Sequence, residues 1–400
     1  MRGRALGPVL LLALALRLVA VLASDRVVAD VARYERVARH VLDVSWNPYE
    51  TKSLYPYPPP WAALEAGALW LARRGVGSFA VNVKLPVVAA DLLLVALLAA
   101  AARAGRASPL APWLYALHPV SLLVGGVHGQ FDAIPLLFLL LAVEALRRGS
   151  RDASALALAA AIAAKSFPVL ALPFLAFEGR SSLRAAVRYA ALALAPGALL
   201  LLPFAIADAP ALRRELFAYG GIADFGWTGV LRGASWLATG DLPRSEARFW
   251  PGAALASRLA FLAAWAGLFL AVRRGRLRLG AERAVLATLL AFGALYGLQS
   301  AQYLLWAVPL GLVRPRREAA LHAAAATVGL VGFYLFLAPG VLWPAPLGAG
   351  ALRLAGLFWL AGAVATVAVS LAWLLAVLGG EAGFRAATEA TERPSNSPSR

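Results

Sequence analysis

Residues 25–61 read DRVVADVARYERVARHVLDVSWNPYETKSLYPYPPPW. This is the first polar stretch of the chain, and it follows Leu6 to Ala23, which is apolar apart from Arg17. Val28 to Val44 has helical spacing. Val31, Tyr34, Val37, Ala38, Val41 and Leu42 fall on one face, and Arg33, Arg36, Arg39 and Asp43 lie mostly on the other. That is the pattern of an amphipathic helix lying on a membrane surface rather than crossing it. Asn47-Pro48-Tyr49 ends it. Tyr55 to Pro59 is too rich in proline for a helix, and Pro60 suits the first turn of the next one.

Outward from this stretch the chain becomes membrane-like. Of 400 residues, 61% are hydrophobic and only 15% charged, whereas soluble domains sit nearer half apolar and about a quarter charged. Apolar runs recur at Phe79 to Arg103, Pro112 to Val127 (broken by Pro119), Ile134 to Arg147 and Ala153 to Phe177 (interrupted by Lys165-Ser166-Phe167-Pro168). They continue at Ala190 to Ala207, Pro251 to Val272, Ala284 to Leu298, Tyr303 to Val313, Ala319 to Leu337 and Leu354 to Leu378. The prediction is an all-α polytopic membrane protein with about 10–13 transmembrane helices. One membrane domain occupies 1–378, with outer loops at 25–60 and 208–250; residues 379–400 read as a disordered cytoplasmic tail.

The net charge of +17 does not point to nucleic acid. The arginines fall in short clusters between apolar runs, at 103–106, 147–151, 180–188, 273–283 and 314–317. That is the positive-inside pattern of cytoplasmic loops. A retained first helix with a cytoplasmic N-terminus then puts residues 25–60, 128–132, 208–250, 299–302 and 338–350 on the outer face. This requires that Trp61 to Arg74 does not cross fully, and that Ala153 to Phe177 enters and returns at its break. The alternative, plain crossings throughout, places 128–132 inside. There is no cysteine, which removes disulfides, thiolate catalysis and cysteine metal sites.

Candidate chemistry sits in the polar links. Asp30 is either a proton acceptor facing a polar cavity or an acid favoured by the helix N-terminus. His128, Gln130 and Asp132 form either a functional link or a solvated turn. Lys165, among apolar residues, requires an anion, either an acid such as Asp91 or Asp132 or a phosphate. Lys84 and Asp91 share a helix face and are expected to pair. Trp227, Trp236 and Trp250 suit an interfacial belt or a sugar-stacking surface, and His40, His118 and His322 read as structural.

Several of these motifs, in order, resemble the GT-C superfamily of membrane glycosyltransferases. The likeness extends to bacterial polyprenol-phosphate-mannose-dependent mannosyltransferases and the first mannosyltransferase of GPI-anchor synthesis. Asp30-x3-Tyr34 through Asn47-Pro48-Tyr49 to Tyr57-Pro58-Pro59 resembles their first outer loop. His118-Pro119, His128-Gly129-Gln130-Phe131-Asp132 and Lys165-x-Phe167-Pro168 are similar to later family motifs. Gln302-Tyr303-Leu304-Leu305-Trp306 is too, with Ala301 where proline is usual. Val28 stands where some relatives carry the first acid of Asp-x-Asp. Residues 170–298 align with no family motif.

The resemblance implies a glycosyltransferase that moves a sugar, mannose foremost, from a polyprenyl-phosphate donor to a lipid-linked or glycan acceptor by one inverting displacement. Asp30 would be the general base, with Lys165 and His128, and an outer-loop arginine in reserve, on the donor phosphate. Tyr34, Asn47, Tyr49, Tyr57, Gln130, Asp132, Gln302, Tyr303 and Trp306 would bind substrate. No cofactor or metal is expected, because the lipid phosphate is itself the leaving group. The expected location is the plasma membrane, multi-pass, with the site facing the periplasm or cell exterior. The competing function is a transporter or lipid-linked-sugar flippase, for which a two-fold pattern between halves is expected and absent here.

Overall fold

The computed structural model describes residues 6–379, so the predicted tail beyond Gly379 lies outside them. Among the described residues, six helices are long and apolar enough to cross a membrane: Leu6–Ala23, Phe79–Arg103, Leu183–Phe217, Pro251–Arg273, Arg317–Phe336 and Ala349–Gly379. Shorter or broken pieces fill the bundle. Ala133–Arg147 and Ala281–Leu295 are single helices of 15 residues. Pro119 splits the run before His128 into Ala111–Ala116, Pro119–Ser121 and a π-helix, Leu122–His128. The architecture is all-α and polytopic, as the composition requires.

The bundle has two polar ends. The arginine clusters gather at one. There Arg106 bonds Glu144, Arg147 Nη1 lies 2.6 Å from Glu282 Oε2, and Arg316 Nη1 donates to the Ala376 carbonyl at 2.8 Å. The polar links gather at the other. The surface helix Ala29–Asp43 buries Val31, Tyr34, Val37 and Ala38, four of the six residues assigned to its apolar face. Beside it runs Pro59–Arg73, whose last arginine meets Asp43 at 2.7 Å. At 15 residues this helix is about 22 Å long, short of the roughly 30 Å hydrocarbon core. Asp25 accepts from Ser78 Oγ at the start of the next helix, so Asp25 serves as an anchor.

Helix Arg151–Ala164 runs antiparallel to Ala133–Arg147 and stops at Lys165, where the chain turns back through a short 3-10 stretch, Phe167–Ala171. The return is recorded at its far end: Arg151 Nη2 donates to the Ala176 carbonyl at 2.7 Å. The last two helices close the bundle through small residues. A Cβ on Gly362 would lie 2.2 Å from Gly329 Cα, so the two backbones approach as only glycines permit.

Several charges inside the bundle are paired, though one pairing differs from expectation. Lys84 does not bind Asp91. Seven residues is nearly two turns, about 10 Å along the axis, and each group finds a nearer partner. Arg17 Nε donates to Asp91 Oδ2 at 3.0 Å, Tyr115 OH donates to Asp91 Oδ1 at 2.5 Å, and Arg17 also reaches Ser121 Oγ at 2.9 Å. Lys84 Nζ instead donates to Ser24 O, Ser24 Oγ and Val127 O at 2.8, 2.8 and 2.9 Å. An ammonium among carbonyls at the ends of two helices meets the negative end of each dipole.

Arg17 is fully buried, so Arg17→Met leaves the Asp91 carboxylate without its cation. The expected loss is about 3–5 kcal/mol, read as a fall in thermal stability in lipid nanodiscs. Asp91→Asn with Arg17→Met should recover part of it.

Candidate active site

At the end of the bundle where the polar links meet, a water-accessible cleft of about 230 Å³ opens. Six separate segments line it. The surface helix gives Ala29, Asp30 and Arg33; the proline-rich loop gives Pro56 and Tyr57; the π-helix gives His128. The second polar segment gives Tyr219, Ile222 and Asp224; the break at 300–302 gives Ser300, Ala301 and Gln302; Phe333 and Ala338 complete it.

Asp30 is the focus of the polar contacts. Ala29, at φ 49°, starts the helix from the left-handed region, a conformation costing an alanine roughly 1–2 kcal/mol. Asp30 Oδ2 lies 3.2 Å from His128 Nε2 and accepts from Gln130 Nε2. Its Oδ1 lies 3.4 Å from Arg33 Nη1 one turn along. His128 Nδ1 in turn is 3.2 Å from Tyr334 OH. With Nε2–H turned to the carboxylate, neutral His128 accepts from Tyr334, and imidazolium would donate on both sides. Burial raises the Asp30 pKa, but the hydrogen bond and charge of His128, with Arg33 and Gln130, outweigh it and hold the carboxyl well below its usual range. The carboxylate is therefore ionised at neutral pH while about a fifth of its side chain stays open.

A second acid faces the same cleft with the opposite bias. Burial pushes the Asp224 carboxyl up to about 6, and Arg232, 3.0 Å away, offsets only part of this.

The other predicted residues divide cleanly. Tyr57, His128 and Gln302 line the cleft with Asp30, and Gln130 touches it through the Asp30 carboxylate. Lys165 does not line it. Its Nζ lies 2.7 Å from Asp132 Oδ2, above the Phe131 ring at 4.8 Å, and Trp306 Nε1 donates to Asp132 Oδ1 at 2.6 Å. Of the partners open to Lys165, the acid is the one in contact. Tyr34 is buried with its ring against Tyr57, Trp61 and Phe131. Asn47 Oδ1 caps the Tyr49 amide at 3.1 Å, and Tyr49 OH donates to the Tyr57 carbonyl at 3.0 Å. Tyr303 packs between Phe292 and Trp306. These side chains support the cleft wall. The three tryptophans pack too: Trp227 Nε1 donates to Leu295 O and Trp250 Nε1 to Arg244 O, and Trp236 lies against Phe336.

Tyr219, Asp224, Ser300 and Ala338 did not stand out in the sequence. The available signal was Asp224 itself, an acid set among Gly220, Gly221 and Gly226, where glycines mark a backbone that must turn or pack closely. Among the described residues, no group of three or more His, Cys, Asp or Glu side chains is placed to hold a metal ion.

No curated protein matches the chain. Residues 30–181 match the family model described as alpha-(1->6)-mannopyranosyltransferase, N-terminal domain. The match begins at Asp30 and takes in the surface helix, the proline-rich loop, the His128–Asp132 link and the return at Lys165. Over these residues the chain resembles the N-terminal domain of that mannosyltransferase family.

Proposed function

We propose that the protein transfers mannose from a polyprenyl-phosphate donor to a hydroxyl of a lipid-linked or glycan acceptor, at the outer face of the plasma membrane. The observation carrying this is the convergence of His128, Gln130 and Arg33 on a partly open Asp30 carboxylate at the first matched position. The outward orientation follows from charge: the arginine clusters occupy the opposite end, and such clusters stay on the cytoplasmic side.

Asp30 takes the proton of the acceptor hydroxyl as that oxygen attacks the anomeric carbon. The bond from that carbon to the lipid phosphate breaks, and configuration inverts. The departing phosphate gains negative charge, which fixed cations beside it stabilise. Arg33 and His128 line the cleft and are better placed for this than Lys165, whose charge is engaged by Asp132. A carboxylate held far below neutral pH is a weak base. Donor phosphate relieves that: as Arg33 and His128 turn to it, Asp30 loses the partners that hold its pKa down.

Asp30→Asn keeps the shape and removes the basicity. Mannose transfer should fall by about 10²–10⁴-fold, with donor affinity retained, in assays of purified protein in nanodiscs with radiolabelled polyprenyl-phosphate mannose. A folded Asp30→Asn protein of near wild-type turnover would place the base elsewhere. Lys165→Met separates the two roles open to that lysine. It should destabilise the protein by about 3–5 kcal/mol, because Asp132 is left buried and unpaired. Donor affinity of the folded fraction should stay unchanged.

A further inference from the structure

The wall of the cleft built from residues beyond 181 has a different chemistry from the wall that carries Asp30. Arg33 and His128 offer hydrogen-bond donors on the Asp30 side, which suits a phosphate. The other side presents Asp224, Tyr219, Ser300 and Gln302. An acid there would repel the donor phosphate and suits the uncharged reactant, a sugar offering hydroxyl donors.

Asp224 is held firmly, with one oxygen to spare. The Phe225 amide donates to Gln299 O at 2.8 Å, and Trp359 Nε1 donates to Asp224 O at 2.7 Å. Gly226 sits at φ 68°, and an added Cβ there would lie 2.4 Å from Gly297 O, so this backbone fits against 297–299 only without a side chain. Arg232 Nη1 donates to Asp224 Oδ1 at 3.0 Å while its Nε is engaged by Pro243 O at 2.7 Å. The arginine therefore grips one carboxylate oxygen rather than forking onto both, the stronger arrangement. Asp224 Oδ2 has no hydrogen-bond partner among the described residues, and 15% of the side chain remains open. The Gln302 amide is likewise without a hydrogen bond.

We propose that Asp224 is a specificity-determining residue whose free Oδ2 accepts hydrogen bonds from ring hydroxyls of the acceptor sugar, beside Gln302, and so aims the reacting hydroxyl at Asp30. The inference rests on the mannosyl transfer proposed above. A (1->6) linkage, as in the name of the matched family, is made at an exocyclic hydroxyl that rotates freely. Fixing the ring through its other hydroxyls is how such a group is brought to a near-attack position. A site built to bond those hydroxyls rejects analogues lacking them, because its polar groups are then left unpaired.

The test uses purified full-length protein in nanodiscs, polyprenyl-phosphate mannose as donor, and octyl α-mannoside with its 3-deoxy and 4-deoxy analogues as acceptors. Wild-type protein should show an acceptor KM about tenfold to a hundredfold higher for at least one deoxy analogue. Asp224→Asn should raise the KM for octyl α-mannoside by a similar factor and abolish the discrimination, with donor affinity unchanged as the control for folding. Asp224→Glu, which keeps the charge opposite Arg232 but moves the oxygens, should shift the same KM. An unchanged acceptor KM in a variant that binds donor would overturn the proposal, as would deoxy discrimination equal to wild type. If wild-type protein transfers no mannose, the proposed activity fails, and equilibrium binding of octyl α-mannoside decides the inference alone. Weaker binding to Asp224→Asn supports it; equal binding, or none to wild type, overturns it.

Discussion

The Lys165–Asp132 ion pair holds together the part of the fold on which the cleft depends. Asp132 precedes the helix Ala133–Arg147 and Lys165 follows Arg151–Ala164, so each charge sits at the helix end whose dipole favours it. Their contact closes the open end of a hairpin sunk in apolar surroundings. Trp306 adds a third segment by donating to the same carboxylate, and its ring stacks on Phe167 at 3.9 Å. One buried acid thus joins the His128 link, the turn at Lys165 and the break at 300–306. Without it, three interruptions of the helix ladder would have no common anchor, and polar backbone at such breaks is tolerated only when buried in protein or lining a cavity.

The same rule of pairing sorts the charges into structure and chemistry. Arg17, Asp91, Lys84, Asp132 and Lys165 are deeply buried and engaged from several sides. Asp30, Arg33 and Asp224 are paired too, yet each keeps part of its side chain open to the cleft. A partly open charge can exchange its partner for a substrate; a sealed one cannot without leaving its counter-charge buried. By that criterion Arg33 is the cation open to a substrate in the proposed reaction, while Lys165 stays with its buried acid.

Much of this was legible in the sequence. Apolar runs, arginine clusters and the amphipathic Ala29–Asp43 segment follow from residue type and period alone, and the bundle has these features. The near-field of Asp30 was legible through its motifs. Pairing across helices was not: Lys84 and Asp91 share a face, but the choice between an intrahelical partner and Arg17 depends on how helices pack. The far wall of the cleft was also hidden. Asp224 lies 194 residues after Asp30 in a polar segment without spacing that marks function, and only folding brings it opposite the surface helix.

The central claim is that segments far apart in sequence form one donor-binding cleft on the face away from the arginine clusters. Because the chain has no cysteine, single cysteines can be read directly. Ile222→Cys and Ala338→Cys lie in the cleft, and Gly149→Cys lies exposed among the arginines. In sealed, oriented membranes, a membrane-impermeant maleimide should label the first two from the outside and Gly149→Cys only from the inside. Polyprenyl-phosphate mannose should slow labelling of Ile222→Cys and Ala338→Cys together. Labelling of either cleft position from the same side as Gly149→Cys, or protection of neither by the donor lipid, would contradict the account.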